Sequence, residues 1–223
     1  MDILPDRNTF DRLAAFSPRV PVCGQQKIPG LNLSNLFQQL FLNAENTFLF
    51  ESGKGPEETA RYSLMGSASS KILEIKGQQA RLFQKDVLVE EWDQPDSALA
   101  LLNFEKNIQP VDYLPHFWGG WVGFIGYEAG AWFESLPVRK SPESNVPDLL
   151  FMQIERLFLY DHVTEELKFI LSQKTQGTGR DYDELSGEIK KIWKKLHRVL
   201  EDIGERSKST SPNSQLSPPS SNG

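Results

Sequence analysis

Between Arg61 and Trp92 four short, largely apolar runs follow one another with almost nothing between them: Arg61 to Met65, Ser70 to Ile75, Ala80 to Gln84 and Val87 to Trp92. The separators are Gly66, the pair Lys76-Gly77 and the pair Lys85-Asp86. A two-residue link can join only antiparallel strands, because a parallel return needs a crossover of about a dozen residues or more. The spacing therefore predicts an antiparallel meander, with helices lying outside it in sequence. Strands and helices that are segregated in this way point to an α+β fold, mostly antiparallel sheet with flanking helices.

The rest of the chain fits around that meander. Residues 1–35 read as an irregular lead-in, with Pro18, Pro21 and Pro29 interrupting regular structure. Leu36 to Leu42 carries apolar residues at helical spacing behind the capping candidates Asn32 and Ser34. Thr47 to Ser52 is aromatic-rich and apolar, as expected for a strand near a sheet centre, and the turn-forming Gly53-Lys54-Gly55-Pro56 follows it. Pro95 opens a helix expected to run about three turns, through Phe104. Phe117 to Glu128 interleaves glycines with aromatic and β-branched residues, a pattern that permits a bulge or close backbone approach. Further strands are expected at Leu149 to Gln153, Leu157 to Tyr160 and Leu167 to Leu171, with Asp161-His162 at a turn. From Asp181 onward Leu185, Ile189, Ile192, Trp193, Leu196, Val199, Leu200 and Ile203 form one stripe of a long helix. Lys190, Lys191, Lys194, Lys195 and Arg198 lie beside or opposite that stripe and read as a solvated face.

With 223 residues, 39% of them hydrophobic, there is material for one good-sized domain, assigned to residues 1–206. Residues 207–223 are rich in Ser and Pro, with almost no apolar anchors, and read as a disordered linker. A net charge of −6 gives no electrostatic footprint for nucleic acid or an anionic membrane. Cys23 is the single cysteine, so no internal disulfide can form, which fits a cytoplasmic location. The acidic, proline-broken start carries no export signal, and the apolar stretch from Trp118 to Phe133 contains five glycines and is too short to cross a bilayer.

Most familiar chemistry is missing from the pattern. Ser52-Gly53-Lys54-Gly55 lacks the spacing of a phosphate loop, and Gly120, Gly123 and Gly126 lack that of a dinucleotide fingerprint. His116, His162 and His197 stand apart from one another, with no metal-ligand spacing, and nothing beside Cys23 marks an activated nucleophile. One constellation stands out. Glu51-Ser52 and Arg61-Tyr62-Ser63 fall at facing ends of neighbouring strands, bringing together a carboxylate, hydroxyls and a guanidinium. Such a group suits a zwitterion such as an amino acid. The same residue types also suit an internal Glu51–Arg61 ion pair that pins a strand end.

Read together, several segments resemble one family. Phe48-Leu49-Phe50-Glu51-Ser52 followed by Ala60-Arg61-Tyr62-Ser63-Leu64-Met65-Gly66 is similar to an L-L-E-S and G-R-Y-S-F-I-G pair, with Phe50 in place of the usual leucine. Gly119 to Glu128 resembles G-G-x-V-G-Y-x-G-Y-D, and Trp132 to Pro137 resembles its F-E-x-L-P continuation. Pro147-Asp148 leading to Tyr160-Asp161-His162 resembles P-D-x-x-F and a Y-D-H turn. These are motifs of the amino-terminal domain of anthranilate synthase component I and aminodeoxychorismate synthase component I.

The resemblance implies a component that converts chorismate using ammonia from a glutamine amidotransferase subunit, in tryptophan or folate biosynthesis, with magnesium assisting in the full enzyme. It implies that the catalytic and magnesium-binding residues belong to a following chorismate-binding domain, in cis or in trans, so that this chain has no catalytic residue and binds no cofactor itself. Residues 207–223 would then be the linker to that domain. It further implies a pocket for L-tryptophan, regulatory or structural, formed by Glu51 and Ser52 with Arg61, Tyr62 and Ser63 as neighbours. A stand-alone amino-acid-binding or interaction module, or a separate domain of a split enzyme, is the alternative reading.

Overall fold

The computed structural model describes residues 1–52, 60–102, 109–132, 146–176 and 179–209. Two antiparallel sheets stack on each other among them. The six-stranded sheet runs in the order β1 (Asp2–Leu4), β2 (Val22–Lys27), β11 (Glu166–Leu171), β10 (Arg156–Asp161), β4 (Tyr62–Ser67) and β3 (Thr47–Phe50). The five-stranded sheet runs β7 (Val87–Trp92), β6 (Gln79–Gln84), β5 (Lys71–Lys76), β9 (Leu149–Ile154) and β8 (Gly120–Ile125). The fold is α+β, as the segregated pattern predicts.

Strand alternation sorts the side chains into three apolar layers. On the outer face of the six-stranded sheet, Met65, Phe158, Tyr160, Leu167, Phe169 and Leu171 pack under helices α1 (Arg7–Ala14), α2 (Leu33–Phe41) and α4 (Gly179–Ser209). On its inner face Cys23, Leu157, Leu159 and Ile170 meet Val122, Met152 and Ile154 of the second sheet. The far face of that second sheet, with Leu73, Ile75, Leu82 and Leu149, is covered by Ala98 and Leu99 of α3 (Pro95–Leu99).

The long helix behaves as its stripe predicts: Leu185, Ile189, Trp193 and Leu196 are fully buried, and Ile192, Val199, Leu200 and Ile203 pack against the same layer. The Trp193 indole packs closely against β2 because position 24 is glycine. A Cβ there would stand 2.7 Å from Trp193 Cδ1 and 2.5 Å from Ile189 Cγ2. Asn32 caps α2, its side chain accepting from the Asn35 N–H at 2.8 Å. In β8, Gly123 allows the backbone approach that its neighbours suggest, since a Cβ would meet Leu150 C and Phe151 Cα at 2.8 Å.

Four expectations need correction. Residues 1–35 are not an irregular lead-in: they form β1, α1, β2 and the start of α2, and the prolines sit between these elements while Asp6 caps α1 by accepting from Thr9 N–H at 2.9 Å. The run from Thr47 is an edge strand and not a central one, because β4 pairs it on one side and no described strand pairs the other. The meander is also split. β5, β6 and β7 form one, but β4 belongs to the other sheet, Gly66 lies within β4 paired with Leu157, and the chain crosses between sheets at Ala68 to Ser70. The helix from Pro95 becomes a single turn of 3₁₀ helix at Ala100–Leu102, and Phe104 lies outside the described residues. So do the turn at residues 53–56, the 133–137 motif and residues 210–223; α4 extends to Ser209.

Candidate functional site at the ends of β3, β4 and β10

The last register pair of β3 with β4 is Phe50 opposite Leu64, so the chain leaving β3 at Glu51-Ser52 runs beside the chain entering β4 at Tyr62-Ser63. On the other flank of β4, Tyr160 pairs with Ser63 and Asp161 with Tyr62. The five residues singled out in the sequence therefore do meet at one corner. The Ser52 N–H donates to Ser63 Oγ at 2.9 Å, and the Ser52 hydroxyl donates to the Tyr62 carbonyl at 2.6 Å. Ser63 Oγ lies 2.7 Å from His162 Nε2, and the His162 N–H donates to the Arg61 carbonyl at 2.9 Å.

Arg61 and Glu51 do not pair with each other. Arg61 donates from Nε to both Asp161 oxygens at 3.1 Å and from Nη2 to Oδ2 at 2.8 Å, while its guanidinium carbon sits 5.0 Å from the centre of the Tyr62 ring. Glu51 instead accepts the Ser34 hydroxyl at 2.9 Å from the first turn of α2. The ion-pair reading of the sequence fails because a better partner arrives from a strand a hundred positions away. Burial pushes the Asp161 carboxyl up, but the Arg61 guanidinium and the N–H groups of Val163 and Thr164 outweigh it and hold the group below the usual carboxylate range. Asp161 is thus a buried anion, fixed by a fork and a turn, which orders the strand end around it.

The site has two sides. Ser63 falls on the helix-covered face of β4 with Met65, whereas Tyr62 falls with Leu64 on the face toward the second sheet. There Tyr62 borders a cleft of about 630 Å³ with Val111, Leu114, His116 and Trp118. Glu51 stays exposed. Because the Arg61 fork faces Asp161, its part is to order the corner and not to present an open anion socket.

Asp161, His162 and Ser34 are site residues that sequence reasoning did not select. The Asp161-His162 turn was visible, and the signal in it was an acid closing an apolar strand, a buried charge in want of a partner. Elsewhere burial drives the Cys23 thiol up to about 11, so it is a neutral core group. His197 Nε2 lies 2.9 Å from Gln26 Oε1, far from His162, and among the described residues no three His, Cys, Asp or Glu side chains gather as metal ligands. Among the described residues no helix is long and apolar enough to cross a membrane.

No family model matches the sequence. Among curated proteins it is 28% identical over 171 residues to anthranilate synthase component 1 of Pseudomonas putida, covering 74% of this chain and 34% of that protein. It is 29% identical over 196 residues to anthranilate synthase component 1 of Streptomyces coelicolor, covering 88% of this chain and 35% of that protein. The crystal structure of anthranilate synthase component I from Streptococcus pneumoniae overlaps 77% of this chain and 36% of its own, with a TM-score of 0.46 and 19% identity. The chain spans about a third of the length of the curated relatives it matches.

Proposed function

We propose that this chain, a partial relative of the anthranilate synthase component I family, is a non-catalytic domain of a chorismate-using synthase that carries an amino-acid pocket of the tryptophan type. The observation that supports the pocket is the gathering of Ser52, Arg61, Tyr62 and Ser63 at one strand corner beside Glu51, with Arg61 and Ser63 tied to Asp161 and His162 by contacts of 2.7 to 3.1 Å. Glu51 takes the ligand ammonium beside Ser52, whose N–H is held by the buried Ser63 hydroxyl, and the half-buried Tyr62 ring offers apolar surface for an aromatic side chain. Chorismate chemistry, magnesium and the ammonia-delivering glutamine amidotransferase subunit belong to the assembled enzyme, and this domain contributes to docking that subunit.

Two measurements test this. With chorismate, ammonia and magnesium, the purified chain yields neither anthranilate nor aminodeoxychorismate; product above the buffer rate refutes the non-catalytic assignment. In calorimetry L-tryptophan binds the wild type, and Ser52→Ala weakens it by roughly tenfold, the scale of one lost hydrogen bond to a charged ligand. Equal heats from both proteins would remove Ser52 from the pocket.

A further inference from the structure

The outer face of α4 carries a block of positive charge that the fold leaves unanswered. Lys190, Lys191, Lys194, Lys195 and Arg198 are all exposed. At about 100° per residue they fall within an arc of about 140°, opposite the buried stripe, and cover about 12 Å of helix axis. Among the described residues none of the five pairs with a carboxylate. Acids of the helix's first half are engaged elsewhere: Asp183 pairs with Arg7, and Glu188 with Arg156 at 3.0 Å. Lys190 and Lys194, Lys191 and Lys195, and Lys194 and Arg198 each stand four residues apart, where like charges work against the helix. This concentration of positive charge occurs on a chain of net charge −6.

Gly187 points the same way. It lies one turn before the block, in the middle of the same arc, and a Cβ added there would meet nothing within 4 Å. Gly24 and Gly123 are explained by crowding, but here no neighbour excludes a side chain. A glycine inside a helix nonetheless destabilises it relative to alanine. What Gly187 does provide is bare backbone in line with the cations, which another chain can approach closely.

Acids at either end set the length of the block. Asp183, Glu184 and Glu188 precede it, and Glu201 and Asp202 follow it. A nucleic acid or an anionic membrane would run past these carboxylates and be repelled, whereas about four extended residues at ~3.3 Å each fit between them. The chain's own exposed acids Glu90, Glu91 and Asp93 lie on or beside the edge strand β7 of the second sheet, while α4 covers the outer face of the first. A contact between the two in different copies joins unlike faces, so it builds rings or filaments and not a closed pair.

We propose that the face formed by Gly187, Lys190, Lys191, Lys194, Lys195 and Arg198 docks a short segment of a partner protein, about four residues long and rich in Asp and Glu. Charge complementarity selects such a segment, and the bare backbone at Gly187 lets it lie close to the helix. The face uses none of the residues of the amino-acid pocket, so the presence or loss of tryptophan binding does not bear on it.

The probe is blocked tetraglutamate, titrated into the full chain at low salt and followed by amide NMR. Saturable shifts are expected between Gly187 and Arg198, with an affinity that falls as salt rises. Lys190→Gln with Lys194→Gln should weaken binding by at least about tenfold with circular dichroism unchanged, because both side chains are already in solvent. Gly187→Leu separates docking from a purely structural role: it should raise the melting temperature and yet weaken the peptide by at least about threefold. Lys71→Gln with Lys76→Gln, on the second sheet, should leave binding intact. The proposal is overturned if no shifts appear on α4, or if either α4 variant binds as the wild type does. It is also overturned if a uridine pentanucleotide, with the same number of negative charges, binds more tightly than the peptide. Self-association of this chain that Lys190→Gln with Lys194→Gln abolishes would overturn it too, giving the face to a second copy.

Discussion

Strand β4 is held in two different ways within a few residues. At Met65 it is held by volume: the side chain is fully buried in the layer where Leu36, Phe158, Ile189 and Trp193 interlock. At Arg61 to Ser63 it is held by directed bonds to Asp161, Ser52 and His162, with Ser63 and Asp161 buried and the Arg61 side chain partly open to solvent. A packed layer responds to lost or added volume and is indifferent to pH, whereas a polar corner responds to loss of a partner and to protonation. Substitutions on each side should separate the two.

The largest effect belongs to the packed layer. Trp193→Ala should cost about 3–5 kcal/mol in urea unfolding, equally at pH 5 and pH 7, since it leaves a cavity and no charge. Gly24→Ala should cost about 1–3 kcal/mol by overpacking, with the indole forced off the strand. Asp161→Asn in the polar corner should cost about 1–3 kcal/mol at neutral pH by weakening the fork to Arg61. Its pH dependence follows from the lowered carboxyl. The stabilisation is fully present above the unfolded value of about 4, and is lost as pH falls through the still lower folded value. The gap between wild type and Asp161→Asn should therefore close in acid, and a gap that stays constant to pH 2 would remove the charge from the explanation. Ser63→Ala should cost about 1 kcal/mol, because the Ser52 N–H and His162 lose a shared partner. Glu51→Gln should change stability by less than about 0.5 kcal/mol, since the side chain is exposed.

The same contrast explains what the sequence made legible. The stripe from Leu185 to Ile203 is a local signal, because helical periodicity is written in consecutive residues, and it leads directly to the buried face of α4. Strand existence was equally local, but sheet membership was not. Nothing between Met65 and Ser70 states that the chain changes sheets, because that depends on β9 and β10, which arrive some eighty residues later. The short lead-in elements were hidden by prolines that punctuate them from outside. The residue types of the site were readable at Glu51, Ser52, Arg61, Tyr62 and Ser63, but their partners were not. Asp161 reaches Arg61 through strand pairing and Ser34 reaches Glu51 through the placement of α2.

The central claim is that this corner recognises an amino acid through the Glu51 carboxylate. Calorimetry of L-tryptophan against its deaminated analogue indolepropionate, on the wild type and on Glu51→Gln, tests it most directly. The account predicts that the wild type binds tryptophan at least about tenfold more tightly than the analogue and that Glu51→Gln erases the difference, as a charge-assisted hydrogen bond to an ammonium requires. Tryptophan heat that is absent, or unchanged by Glu51→Gln, would contradict it.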